Sequence, residues 1–197
     1  MGDGERSKMY KETQSSIIKI LDKGLSIDKN IYMNQLVLIK NDITAKDENV
    51  RKAALDMLDF LLSLNVEDIQ TEVIKILHDG TVNKFIQNCV LNSIKKKIIC
   101  TISDDKFNFT EILTPWKNQN VNKLTNIIED ICLNDLPKNK CKHFFINNVI
   151  PTMMSINTNN DIRNTLTDMA FMLSTIVPIS DLSSEELNIF LKEVNMK

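Results

Sequence analysis

Only two histidines, His78 and His143, offer side chains that titrate near neutrality. His78 stands in His78-Asp79-Gly80-Thr81, at the end of an apolar-periodic stretch, where an imidazole meets the free carbonyls and negative end of a helix. Cys132 with Cys141-Lys142-His143 is the one cluster whose residue types suit zinc or a Cys–His nucleophile. Its spacing matches no standard ligand set and it lacks a fourth ligand, so neither chemistry is expected. A phosphate-cradling loop is excluded, because Gly24 and Gly80 are the only glycines after Gly4. Glu129-Asp130 and Glu185-Glu186 are sequence neighbours on helical stretches, point different ways, and read as solvated surface. Asn108-Phe109-Thr110 has the form of a glycosylation acceptor, without meaning in an intracellular chain. No catalytic residue, cofactor or metal is expected, and the chain reads as non-enzymatic.

The bulk composition points the same way. A formal charge of −2 and a pI near 5.7 give no electrostatic case for duplex nucleic acid or an anionic membrane. The cysteines (Cys89, Cys100, Cys132, Cys141) form no Cys-x-x-Cys pair and follow no secretory signal, which reads as free, mostly buried thiols in a reducing compartment. No apolar run reaches the roughly 20 residues of a membrane span. The expected location is intracellular and cytoplasmic, with the nucleus not excluded. With 43% apolar residues but only four glycines and four prolines, long helices are favoured over a sandwich or barrel. A chain of this length buries roughly 70% of its unfolded surface and needs no staples.

The stretch Asp47-Glu48-Asn49-Val50-Arg51-Lys52-Ala53-Ala54-Leu55 organises the rest. Asp47 or Asn49 can cap a helix running to Leu64, whose stripe is Val50, Ala53, Ala54, Met57, Leu58, Leu61 and Leu62. Before it, residues 1–6 are expected to be disordered, and 7–197 to form a single helical-repeat domain. Ser7 to Lys23 reads as a helix with Met9, Ile17, Ile18, Ile20 and Leu21 inward, ended by Gly24, acting as a cap on the first repeat or as a detachable partner-binding helix. Ile31 to Ile43 follows, with Leu36, Val37 and Ile39 apolar. Val66 to His78 buries Ile69, Val73, Ile74, Ile76 and Leu77, and Thr81 to Ile99 buries Val82, Phe85, Ile86, Cys89, Val90 and Ile94. Lys95-Lys96-Lys97 is placed near that helix's negative end. Ile102 to Asp105 is a polar connector, Pro115 interrupts the stretch Phe107 to Lys117, and Trp116 reads as interior filler.

Val121 to Leu133 buries Leu124, Ile127, Ile128 and Ile131. Cys141 to Ile156 is a helix bent by Pro151, Asn157 to Asp161 is a capping turn, and Ile162 to Val177 is amphipathic. Ser183 with Glu186 opens a last helix as a capping box. Leu58, Leu61, Ile86, Ile128 and Leu173 are the expected core.

Aligning Val50, Val82, Val121 and Ile162 as the buried anchors of successive second helices gives offsets of 32, 39 and 41 residues, the range of two-helix repeats. Asp47-x-x-Val50-Arg51 is echoed by Asp79-x-x-Val82 and by Asn159-x-x-Ile162-Arg163. With these residues the stretch Asn30 to Val177 resembles the HEAT/armadillo family of α-solenoids. The resemblance implies an all-α, right-handed solenoid of about four antiparallel helix pairs with capping helices at both ends. It implies a buried anchor at Val50, and an arginine at Arg51 bonding to turn acids between repeats. Asn83 and Asn122 stand where the family carries arginine.

By analogy with such folds the expected function is a scaffold or adaptor binding a protein through the solenoid surface, its rim formed by Arg51, Lys52, Lys84, Lys123 and Arg163. A helical-repeat RNA binder is the alternative. It would need aromatic stacking partners at fixed repeat positions, which are missing.

Overall fold

The structure, a computed structural model, describes residues 3–104, 106–155 and 160–195, which form helices joined by short turns with no strand among them. Part of the expected capping turn, Asn157, Thr158 and Asn159, lies outside the described residues. The chain divides into two compact units, Met1–Lys97 and Ile98–Lys197.

In the first unit, α1 spans Asp3–Asp22, α2 Lys29–Asp42, α3 Glu48–Ser63 and α4 Glu67–His78, and α5 starts at Lys84. The organising helix is α3, on which both α1 and α2 pack. Asp47 caps it, accepting from the N–H groups of Asn49 and Val50, and Glu48 suits its positive end. Val50, Ala54, Met57, Leu58, Leu61 and Leu62 are buried, at positions three and four apart, while Ala53 is half-buried at the edge of the stripe.

Helix α1 starts inside the stretch expected to be disordered. Arg6 Nε lies 3.1 Å from Asp42 Oδ2, which ties that first turn to the end of α2. The helix ends at Gly24, whose φ of +73° wraps the chain so that Gly24 and Leu25 donate to the carbonyls of Leu21 and Ile20. A side chain there would be strained. Its buried residues are Tyr10 and Ile17, two turns apart, whereas Ile18 faces outward.

In α2 the stripe is Tyr32, Leu36, Ile39 and the flanking Ile43, which leaves Val37 51% exposed on the opposite side, not inward as expected. Helix α4 buries Ile69, Val73, Ile74, Ile76 and Leu77, as its pattern predicts.

Helix α5 departs most from expectation. Asn83 accepts from the Phe85 N–H and starts the helix at Lys84, so Val82 precedes it and is only half-buried. Phe85 is 54% exposed and Ile86 half-buried; full burial begins at Val90. The helix runs on to Ser103 through the stretch expected to be a connector, because Ile98 and Ile102 continue the apolar period into the second unit. Lys95-Lys96-Lys97 is therefore mid-helix, with Lys96 Nζ 2.9 Å from Asp59 Oδ2 and Lys97 bonded to the Asn65 side chain at 2.5 Å.

In the second unit, α6 spans Phe109–Leu113 and passes into a tight 3₁₀ turn, Thr114–Trp116, where Pro115 fits because an N–H is not required in a first turn. Trp116 is buried. Helix α7 spans Val121–Asn134, α8 Lys138–Phe144, α9 Ile150–Ser155, α10 Asn160–Ile176 and α11 Ser184–Asn195. A π-helical turn over Phe145–Val149 joins α8 to α9. Pro151 cannot donate to the carbonyl four residues back and its ring crowds that carbonyl; the wider turn just before it absorbs the misfit.

The core is built on α7 against α10, from Leu124, Ile127, Ile128 and Ile131 with Leu166, Met169, Ala170 and Leu173. Phe144 anchors its other side, stacked on Phe107 at 6.2 Å and edge-on to Phe109 at 5.1 Å. Ser183 Oγ accepts from the Glu186 N–H, the forward half of the expected capping box.

Candidate interaction surface

The five basic positions do not share one environment. Arg51 is the fourth residue of α3, and its Nη1 donates to the carbonyls of Ala45 at 2.7 Å and Lys46 at 2.8 Å. Those carbonyls belong to the turn between α2 and α3, so the guanidinium closes its own helix hairpin. The acids expected as its partners are replaced by backbone. Lys52, one position on, is exposed. Lys84 is exposed as the first residue of α5, where the helix N-terminus disfavours a cation and leaves the ammonium to solvent or a partner. Lys123 and Arg163 are half-buried in the first turns of α7 and α10, in the second unit, and both already have polar or electrostatic partners.

A residue that the sequence pattern missed explains Arg51. Gln87 is the fourth residue of α5, and its Nε2 donates to the carbonyls of Ile76, Leu77 and Asp79 at 3.1, 3.4 and 2.8 Å. This is the same clamp at the next hairpin, made by an amide in place of a guanidinium. The two residues are 36 apart, as are their capping residues Asp47 and Asn83. Arg163 is likewise the fourth residue of α10; α7 carries the buried Leu124 at that position. The signal was present as Asp47-x-x-x-Arg51 and Asn83-x-x-x-Gln87, counted from the cap. Counting from the β-branched anchors hid it, because Val50 alone of the four is buried; Val82, Val121 and Ile162 are half-buried, and only Ile162 shares Val50's place as the third residue of its helix. Ile86 is the counterpart of Val50.

A second missed feature lies under α1. The Tyr10 hydroxyl donates to Asp42 Oδ2 at 2.6 Å, and the same oxygen meets Arg6. Burial first, then the hydrogen bond and charge of Asp42, push the Tyr10 phenol well above its ordinary value. Tyr10 was legible as the residue seven before Ile17, on the same helix face.

The groups with reactive side chains stand in several different environments. His78 is exposed at the last position of α4. His143 Nδ1 pairs with Asn147 Nδ2 at 3.0 Å. Cys132 and Cys141 are buried, Cys89 is half-buried and Cys100 exposed, so the expectation of mostly buried thiols holds for half of them. Burial raises both Cys132 and Cys141 above the usual thiol range. Among the described residues no three His, Cys, Asp or Glu side chains are placed to hold a metal ion, and no helix is long and apolar enough to cross a membrane. Asn108, the residue of the paper sequon, instead caps α6 by accepting from the Thr110 N–H. A shallow, open depression follows the outer face of α1 along Ser7, Lys8, Lys11, Ser15 and Lys19.

Comparison with protein-family models, with curated proteins and with solved structures gives no match.

Proposed function

We propose that the chain is a non-enzymatic helical-repeat protein, a right-handed α-solenoid of HEAT/armadillo type, that binds a protein partner through the solenoid surface. The observation that carries this reading is the repeated hairpin clamp. Helices α3, α5, α7 and α10 start 36, 37 and 39 residues apart, more regular than the anchor spacing, and Arg51 and Gln87 close two successive hairpins in the same way. The ion pair between Asp59 of α3 and Lys96 of α5 joins residues 37 apart, almost the same interval, as side-by-side second helices would.

Within the first unit, the surface that supports binding is the start of α5. Lys84 and Phe85 are both exposed there, and a solvated phenylalanine beside a cation is the composition of a contact anchor. Lys52 extends the same class of position on α3. Arg51 drops out of the binding set, because its guanidinium is already committed to the Ala45 and Lys46 carbonyls.

The test is a quantitative pull-down from native cells, comparing the wild type with Phe85→Ala and with Lys52→Glu/Lys84→Glu. Both variants should keep the wild-type helical circular dichroism. Both should lose the recovered partner, and the charge variant should lose it more at low salt than at high. Unchanged partner recovery by folded variants would refute this surface. Recovery of RNA whose binding the charge variant abolishes would favour the helical-repeat RNA reading instead.

A further inference from the structure

Cys132 and Cys141 are nine residues apart and straddle the turn from α7 to α8. Cys141 Sγ lies 3.5 Å from the Cys132 carbonyl oxygen and 4.0 Å from that of Leu136, so its S–H serves the free carbonyls at the end of α7. Both thiols are thus buried at one turn, with the Cys141 sulfur against the Cys132 backbone. Cys141 is 0% and Cys132 5% exposed, held in place by the surrounding core. Above them runs a short turn whose Asn134, Asp135 and Pro137 are exposed, so that fraying of the last turn of α7 and the first of α8 would admit a small molecule.

We propose that Cys132 and Cys141 are a reversible oxidation site, in which a small-molecule disulfide such as oxidised glutathione converts the juxtaposed thiols to an intrachain disulfide tying the end of α7 to the start of α8. In the opened turn the Cys141 thiolate attacks one sulfur of the small disulfide. Its S–S bond breaks, a mixed disulfide forms on Cys141, and one small thiolate leaves. The Cys132 thiolate then attacks the Cys141 sulfur and expels the second small thiolate. The protein loses two electrons and two protons, and the oxidant becomes two thiols. The same product follows if Cys132 attacks first, so the balance does not depend on the order. In the product the disulfide occupies the apolar site with no charge and no S–H left to satisfy, which suits the burial. Cys89 and Cys100 lie on α5 and are not part of this pair.

The test is a thiol–disulfide equilibrium. The full chain is incubated in glutathione buffers of graded ratio, approached from the reduced and from the oxidised side, in buffer and in concentrated urea. Each sample is acid-quenched and digested with trypsin. Lys138 and Lys140 lie between the two cysteines, so cleavage there separates the peptides unless the disulfide links them. The native fold should raise the equilibrium constant for the Cys132–Cys141 link at least tenfold over the unfolded chain, because the fold already holds the sulfurs together. An equal or smaller constant in the folded chain would overturn the proposal, as would glutathione adducts on Cys100 with Cys132 and Cys141 still reduced at every ratio that oxidises the unfolded chain.

Discussion

Leu58→Ala removes a side chain that is 0% exposed from the middle of α3, the helix against which α1 and α2 both pack. Its neighbours on the stripe, Met57, Leu61 and Ala54, are also fully buried, and α1, α2 and α4 all pack on this helix. The space left cannot collapse easily, so the transfer term is joined by a cavity term, and the cost should be about 3–4 kcal/mol. For a chain of this size that corresponds to a fall in Tm of roughly 10 °C. Two companions calibrate the result. Ile86→Ala, at a half-buried position, should cost about 1–2 kcal/mol, and Val37→Ala, at a 51% exposed one, less than about 0.5. The assay is urea unfolding followed by circular dichroism, with the slope compared between variants so that midpoint shifts report stability. A Leu58→Ala cost below about 1 kcal/mol, or Val37→Ala exceeding it, would mean that the helix phases are wrong and the packing argument with them.

Arg51→Met and Gln87→Leu each delete a clamp on turn carbonyls and should each cost about 1–2 kcal/mol by the same assay, with Arg51→Lys recovering only part; no cost at Gln87 would break the equivalence of the two hairpins. Tyr10→Phe should cost about 1–2 kcal/mol at neutral pH, since Asp42 loses a buried donor. Because the folded state holds the Tyr10 proton beyond the ordinary value of 10.0, that contribution is complete below pH 10 and is lost as pH rises above it. Wild-type stability should therefore fall above pH 10 and fall less steeply in Tyr10→Phe, and equal slopes would contradict the network. Lys52→Glu/Lys84→Glu should shift Tm by no more than about 3 °C, because exposed charges contribute little, and a larger loss would show that the lysines serve the fold.

The sequence by itself determined the helices and most of their inward faces. Helices α4 and α7 bury the residues their periodicity names, since an amphipathic stripe with few competing apolar residues leaves one face to turn inward. Asp47 and Ser183 cap where they were read to cap, because side-chain capping is a local matter of one oxygen and the N–H groups two or three residues on. Sequence also placed Pro115 at an interruption and Trp116 inside.

Only the tertiary structure decided the rest. Val37, Phe85 and Ile18 are as apolar as their buried neighbours, and what turns them outward is the position of the adjacent helices, which no local pattern contains. The end of α5 was hidden for a similar reason: its polar tail stays helical because Ile98 and Ile102 are buried. The rim arginine at Arg51 was legible as a residue and not as a role. Its charge is spent on two carbonyls six and five residues earlier, a contact that exists only once α2 and α3 have folded back on each other. Gln87 performs that role without the charge that would have flagged it. A clamp needs a donor at a fixed distance from a turn, and either a guanidinium or an amide supplies it, so geometry, and not residue type, is what repeats.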